Sequence, residues 1–215
     1  MIEAVIFDMD GLLIDSEPLW QEAEMAVFNK VGVPLTLEMT TQTTGLRTDE
    51  VVEYWHKKHP WDSPSQEEVS TLVDSTVIEL IRSKGLAKDG VNEAISVCAG
   101  LPIAIASSSS QLLIRTVLEK LGIADKIKVV HSAHDEAYGK PHPAVYISTA
   151  EELGVHPNHC LAFEDSANGV LAAKAAKMRC IAIPEPEMRN DKRFGIADIV
   201  LHSLHDFTPE MLKGW

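Results

Sequence analysis

Residues 5–15 read VIFDMDGLLID, a short apolar run that ends in two carboxylates one residue apart, Asp8 and Asp10. Side chains two residues apart on a strand point to the same face, so these charges would lie about 5 Å from each other. At that separation they repel by about 3 kcal/mol for an effective dielectric constant of about 20. One carboxyl therefore carries a proton, or a cation lies between them, or the strand has ended and they diverge. All three alternatives favour a functional site over a structural role.

The overall composition is that of an acidic globular protein: 215 residues, 45% hydrophobic, with a formal net charge of −13. This charge argues against binding to nucleic acid or to anionic membrane surfaces. No apolar run approaches the roughly 18 residues that span a bilayer, and the N-terminus lacks a basic, secretory-type leader. The three cysteines have no C-x-x-C spacing and are expected to be buried, reduced thiols. We expect a cytoplasmic monomer with neither nucleic-acid nor membrane partners.

From about residue 90 onward, short apolar runs alternate with stretches that carry apolar residues at helical spacing. Runs rich in Ile and Val that do not alternate with polar residues are typical of strands buried on both faces. These runs are 102–107, 127–131, 160–164, 179–183 and 198–201. The alternation predicts an α/β fold with a Rossmann-like parallel sheet flanked by helices, which the opening strand joins.

Residues 16–84 interrupt this pattern, because they hold helix-like stretches and no convincing buried strand. The simplest organisation is an α/β core formed by residues 1–15 and 85–215. Residues 16–84 then form an all-helical cap domain inserted after the first strand.

Polar side chains follow several of the predicted strands at the point where each strand ends. Ligands of open parallel sheets bind at the carboxyl ends of the strands, so these side chains are expected to converge on one edge. The set consists of carboxylates, a hydroxyl run and one lysine: Asp8, Asp10, Ser107, Ser108, Lys140, Glu164 and Asp165.

This set of side chains suits phosphoryl transfer. Clustered carboxylates with backbone oxygens form a hard octahedral Mg²⁺ site. A lysine with hydroxyl or backbone donors binds phosphoryl oxygens. One carboxylate facing such a pocket can attack phosphorus, and a second can protonate the leaving oxygen and later accept a proton from water. The pattern indicates metal-assisted transfer through an aspartyl-phosphate.

Four motifs resemble those of the haloacid dehalogenase superfamily, in the order of that family and over most of the chain. They are FDMDGLLIDSE, AIASSSS, GKPHP and FEDSANG. The helical insertion falls where the class-one cap of that family lies. Within the family, the sequence is most similar to bacterial sugar-phosphate phosphatases of the 2-deoxyglucose-6-phosphatase or hexitol-phosphatase type.

The resemblance implies a role for each matching residue. Asp8 would be the nucleophile and Asp10 the general acid and base, and both would contact the substrate. Glu164 would either reach the metal through water or orient its loop. The remaining implied ligands are, for Mg²⁺, the Asp8 carboxylate, the Asp10 backbone carbonyl and Asp165, and, for the phosphoryl oxygens, Ser107, the Ser108 amide and Lys140. Mn²⁺ or Co²⁺ would be alternative ions.

Differences from individual family branches narrow the implied activity. Dehalogenases lack the second acid, so Asp10 favours phosphate esters. The β-phosphoglucomutases carry a histidine where this chain has Trp20, which we expect near the substrate. They also place an arginine on a second phosphate, and Arg47 lies one position out of that register. Arg47 either meets the substrate or pairs with Glu50 on its own helix.

The implied activity is Mg²⁺-dependent hydrolysis of phosphate monoesters of small sugars or sugar alcohols. The substrates would be hexose or hexitol 6-phosphates or 2-deoxyglucose 6-phosphate, and the alternative is a phosphomutase of the β-phosphoglucomutase type. A receiver-type signalling domain shares the acidic residues and the lysine, but it would be about half as long and its acids would be adjacent. A P-loop kinase is excluded because no G-x-x-x-x-G-K-[ST] motif is present.

Overall fold

A computed structural model describes all 215 residues and shows a six-stranded, all-parallel sheet in the order β3-β2-β1-β4-β5-β6. The predicted α/β fold class is confirmed, and β6 is shorter than its apolar run because only two residues pair. The strands are β1 (Ala4–Phe7), β2 (Ile103–Ser107), β3 (Val129–Ser132), β4 (Cys160–Glu164), β5 (Arg179–Ala182) and β6 (Ile199–Val200).

Nine α-helices accompany the sheet, and four of them lie between β1 and the rest of the fold. These four are α1 (Glu17–Lys30), α2 (Leu37–Thr40), α3 (Thr48–Lys58) and α4 (Gln66–Lys84). The others are α5 (Val91–Val97), α6 (Gln111–Leu121), α7 (Ala144–Leu153), α8 (Ala167–Ala175) and α9 (Pro209–Lys213). Helices α2, α5 and α9 were not predicted from the sequence, because each is too short to show a helical period. No helix combines the length and the apolar character that a membrane crossing requires.

The two faces of the sheet carry side chains of different size. On one face lie large residues such as Phe7, Ile105 and Phe163, and the Phe7 and Phe163 rings stack with centroids 4.7 Å apart. The opposite face carries small residues such as Ala106 and Ala162, against which α7 and α8 pack. Because these side chains are small, α7 and α8 can pack close to the sheet. With both faces covered, the edge at the carboxyl ends of the strands is the part of the sheet that remains open for a ligand.

The helical segment 16–84 packs on itself and on the sheet domain. Helix α4 contacts α1, α3 and α6, and the buried side chains of α1, α3 and α4 are continuous with those of the large-residue face. Ser65 directly precedes α4 and forms a capping box with Glu68. The Ser65 amide donates to the Glu68 carboxylate and the Glu68 amide donates to the Ser65 hydroxyl, so two backbone amides at the helix start are paired. Cys98, Cys160 and Cys180 are buried and unbridged, as predicted.

Candidate active site

A cavity lies between the carboxyl ends of β1, β2 and β4 and the helical segment. Only three of its 18 lining residues are hydrophobic. The sheet edge contributes Asp8, Asp10, Ser107, Ser108, Ser109, Lys140, Asp165 and Ser166, and the helical segment contributes Glu17, Trp20, Gln21, Glu24, Thr40, Thr43, Thr44, Gly45, Leu46 and Val51. Six of the seven polar residues singled out at the strand ends thus line one cavity, and Glu164 lies beneath it.

Asp8 and Asp10 diverge, because β1 ends at Phe7 before either of them. This was the third of the alternatives that the sequence left open. The Asp8 carboxylate turns towards Lys140, whereas the Asp10 carboxylate turns towards the helical segment and Ser109. The two acids therefore face different groups and can take different chemical roles.

Lys140 connects the acidic side chains at the base of the cavity. Its Nζ donates to Asp8 Oδ1 and to Glu164 Oε1, each at 2.6 Å, and to the Ala106 carbonyl at 3.0 Å. Burial alone would lower the pKa of Lys140, which is 3% exposed, but the charges of Asp8 and Glu164 outweigh it and raise the pKa. Lys140 is therefore a fixed, buried cation.

Three carboxylates surround this single lysine. Oxygen atoms of Asp8, Glu164 and Asp165 lie within 4.8 Å of one another. Burial raises the pKa of Asp8 to about 8, with Lys140 opposing the rise, and burial with the nearby Asp8 charge raises the pKa of Asp165 well above its usual range. A divalent cation would relieve this excess of negative charge, so the donor set fits a hard metal ion.

Gly11 keeps room for Asp165. Its φ of +74° is in the left-handed region, and a Cβ at this position would overlap Asp165 Oδ2. The glycine of the D-x-D-G motif thus allows the loop after β1 to pass directly against an acidic side chain of the loop after β4.

Asp10 is held by three neutral donors. Its Oδ1 accepts from Ser16 Oγ at 2.7 Å and from Trp20 Nε1 at 2.9 Å, and its Oδ2 accepts from Ser109 Oγ at 2.6 Å. Trp20 was expected near the site, whereas Ser16 and Ser109 were not among the predicted site residues. Both serines lie within the quoted motifs, and their approach to Asp10 depends on turns that the sequence pattern does not specify.

Glu164 is fully buried and fully engaged. Its Oε1 accepts from Lys140 and from the Tyr146 hydroxyl, each at 2.6 Å, and its Oε2 accepts from the Ser166 hydroxyl at 3.1 Å. A Cβ at Gly169 would overlap this carboxylate. Of the two roles left open, these contacts favour orientation of the loop and of Lys140. Tyr146 was not identified from the sequence.

Ser107 and Ser108 line the cavity at the end of β2. The buried Ser107 hydroxyl accepts from the Ser109 amide at 3.1 Å, and the Ser108 hydroxyl donates to the Gly45 carbonyl at 3.1 Å. The second contact joins the sheet edge to the helical segment across the cavity.

Arg47 makes a contact that the sequence analysis did not anticipate. Its Nη1 donates to the backbone carbonyls of Ala133 and Glu136 at 3.0 and 2.9 Å, in the loop after β3. The expected pairing with Glu50 is present at 3.7 Å, but the side chain does not line the cavity. Arg47 therefore bridges the helical segment and the sheet domain.

The chain is similar to known proteins in sequence and in structure. The model of the haloacid dehalogenase-like hydrolases matches residues 2–177. Hexitol phosphatase B of Escherichia coli (strain K12) is 44% identical over 99% of this chain and 97% of its own length. The putative phosphatase YhcW of Bacillus subtilis is 33% identical over 86% and 84%. The crystal structure of CbbY from Rhodobacter sphaeroides in complex with phosphate superposes with a TM-score of 0.87 at 27% identity, covering 96% of each chain.

Proposed function

Since the chain belongs to the haloacid dehalogenase-like hydrolases and is a phosphatase of that family, we propose that it hydrolyses phosphate monoesters of small sugars or sugar alcohols through an aspartyl-phosphate. The hexitol phosphatase relative, nearly full-length and 44% identical, supports hexose or hexitol 6-phosphates as the substrates. The observation that carries the mechanism is the divergence of Asp8 and Asp10, one towards Lys140 and one towards the helical segment.

Asp8 is the proposed nucleophile. Lys140 binds Oδ1 of its carboxylate at 2.6 Å, which fixes the side chain and leaves Oδ2 to attack phosphorus in line. The same lysine, with the Ser107 hydroxyl and the Ser108 amide, contributes the positive charge and donors around the phosphoryl oxygens. The bond from phosphorus to the sugar oxygen breaks as the Asp8–phosphorus bond forms.

Asp10 is the proposed general acid and base. Because Ser16 and Trp20 hold its Oδ1 towards the helical segment while Ser109 holds its Oδ2, it lies on the side where the sugar leaves. It donates a proton to the departing sugar oxygen and then removes one from the water that releases phosphate.

The acid cluster is the proposed Mg²⁺ site, with Mn²⁺ or Co²⁺ as alternative ions. The carboxylates of Asp8 and Asp165 and the backbone carbonyl of Asp10 would hold the ion, because the cluster is rich in hard oxygen donors and in negative charge. The ion would supply charge stabilisation on the phosphoryl group and would keep Asp8 ionised.

Residues 16–84 are the proposed cap domain over a core of residues 1–15 and 85–215. They supply ten of the residues that line the cavity, and such a segment excludes water and selects the leaving group. The mutase alternative has less support, because Trp20 stands beside Asp10 and Arg47 points away from the cavity.

The test is phosphate release from a panel of hexose, hexitol and glycolate phosphates, with Mg²⁺, with chelator, and with the Asp8→Asn variant. Release from hexose or hexitol 6-phosphates that requires the metal and is lost in the variant is the expected result. Turnover by Asp8→Asn above trace level would remove Asp8 as the nucleophile. Interconversion of sugar 1- and 6-phosphates without release would favour the mutase.

A further inference from the structure

Glu24 is a buried acid that the mechanism above does not use. It lies on α1 among apolar neighbours such as Ala23, Val27 and Phe28, and it is 7% exposed. It lines the cavity, and its Oε2 has no hydrogen-bond partner in the protein. An unpaired buried carboxyl oxygen is costly, and an apolar side chain would fill the same space without that cost. The unpaired oxygen of Glu24 therefore indicates that a polar group of a ligand pairs with it in the cavity.

The surroundings of Glu24 show which kind of group fits. Its carboxyl has a pKa raised from 4.5 to about 8 by burial and by the charge of Glu17, so it holds a proton at neutral pH and can donate as well as accept. Glu17 itself accepts from Gln21 at 3.0 Å and from Thr44 at 3.1 Å. The wall of the cavity formed by the helical segment therefore offers carboxyl, amide and hydroxyl groups.

This wall contains no positive charge. Lys140 is the only lysine or arginine that lines the cavity, and it is bound to Asp8 and Glu164 on the opposite side. Arg47, the nearest candidate in sequence, is directed to the loop after β3. A carboxylate or second phosphate on the leaving group would therefore face Glu17 and Glu24 with no cation to pair with.

We propose that Glu24 is a specificity-determining residue that hydrogen-bonds a hydroxyl of the leaving group, and that the wall around it selects uncharged, polyhydroxylated leaving groups over anionic ones. The inference rests on the proposed phosphatase function. It adds that the leaving group of the substrate is uncharged and that one of its hydroxyls is bound by Glu24. A site whose polar group pairs with a substrate hydroxyl discriminates strongly against an analogue that lacks it, because the buried group is then unpaired.

Three six-carbon phosphates separate the recognition of hydroxyls from the exclusion of a second negative charge. Sorbitol 6-phosphate carries hydroxyls and no second charge, hexyl phosphate carries neither, and 6-phosphogluconate carries hydroxyls and a carboxylate. We expect the wild-type protein to prefer sorbitol 6-phosphate over hexyl phosphate by at least about thirtyfold in kcat/KM, the effect of one hydrogen bond to a carboxyl group. It should also prefer sorbitol 6-phosphate over 6-phosphogluconate, because the extra carboxylate has no cation to pair with on this wall.

The variants Glu24→Leu and Glu24→Gln test the residue itself. Glu24→Leu should lower kcat/KM for sorbitol 6-phosphate about thirtyfold and change that for hexyl phosphate less than threefold. Glu24→Gln keeps the shape and should retain part of the preference for sorbitol 6-phosphate. The control is Glu22→Gln on the same helix, whose side chain is 51% exposed, pairs with Lys84 and lies outside the cavity.

The outcomes distinguish this inference from the function on which it rests. A wild-type protein that hydrolyses sugar phosphates, with the same substrate ratios in both Glu24 variants, would overturn the inference alone. Equal turnover of 6-phosphogluconate and sorbitol 6-phosphate by the wild type would overturn the charge selection. Absence of release from every sugar phosphate by the wild type would overturn the proposed function and the inference together. Turnover of hexyl phosphate in each variant shows that the fold is retained.

Discussion

Replacing Arg47 by alanine removes two hydrogen bonds between the helical segment and the loop after β3. The guanidinium is mostly buried and donates to two backbone carbonyls, those of Ala133 and Glu136. If residues 16–84 close over the cavity in each catalytic cycle, these two bonds stabilise the closed form only. Arg47→Ala should then lower the closed population without touching the substrate, which replaces the substrate-selective role considered from the sequence.

The size of the effect follows from the two hydrogen bonds. A hydrogen bond that involves a charged group contributes about 1.5–3 kcal/mol, and water replaces part of that contribution when the segment opens. A net loss of about 2–3 kcal/mol for the pair shifts the closure equilibrium by roughly 30- to 150-fold. Because every substrate requires the closed form, kcat/KM should fall by the same factor for each of them.

The assay is kcat/KM for sorbitol 6-phosphate, glucose 6-phosphate and hexyl phosphate, with Asp49→Ala as the control. Asp49 pairs with the same guanidinium but is 52% exposed, so its removal should change kcat/KM less than about fivefold. A loss confined to the sugar phosphates would show that Arg47 contacts the substrate. Unchanged kcat/KM for all three would show that the contact has no part in closure.

Three further changes have expected outcomes. Glu24→Gln should stabilise the protein more at pH 7 than at pH 5, by about 2 kcal/mol in urea unfolding. The folded-state pKa of Glu24 is raised to about 8, so the unfolded chain binds fewer protons and the wild type loses stability as the pH rises from 4.5 towards 8. Gly11→Ala should raise the Mg²⁺ concentration needed for half-maximal phosphate release at least about tenfold, because the new Cβ overlaps Asp165. Lys140→Met should abolish phosphate release and lower the free energy of unfolding by about 3–5 kcal/mol, since Asp8 and Glu164 lose their buried cation.

Each of these outcomes has a result that would contradict it. A stability difference between Glu24→Gln and wild type that is constant from pH 5 to pH 8 would mean that Glu24 ionises normally in the folded protein. Normal Mg²⁺ dependence in Gly11→Ala would separate Asp165 from the metal. Retained activity in Lys140→Met, measured beside a Lys177→Met surface control, would exclude Lys140 from binding the phosphoryl group.

The sheet and its polar edge could be predicted from the sequence because their signals are local. The Ile- and Val-rich run of β2 has the composition of a doubly covered strand, and Asp8 and Asp165 directly follow strands. Parallel topology then requires these strand ends to meet. The divergence of Asp8 and Asp10 was one of three outcomes that the spacing allowed.

Contacts between distant loops could not be predicted in the same way. Arg47 reaches carbonyls of Ala133 and Glu136, and no pattern of residue types marks a backbone acceptor. Ser109 reaches Asp10 from the turn between β2 and α6, and a serine just before a helix is also explained by helix capping. The partnerless oxygen of Glu24 becomes visible only when the packing around α1 is known.

The central position of β1 has a consequence for biosynthesis. Val5 pairs with Ile103 on one side and with Leu161 on the other, so β1 has no neighbouring strand until translation has passed residue 103. Helices α1 and α4 can meet earlier, since they are close in the sequence. The strand that leads to Asp8 is therefore an exposed apolar segment of the nascent chain, of the kind that chaperones bind. Polypeptides released before Asp165 lack an acid of the cluster and with it the proposed metal site.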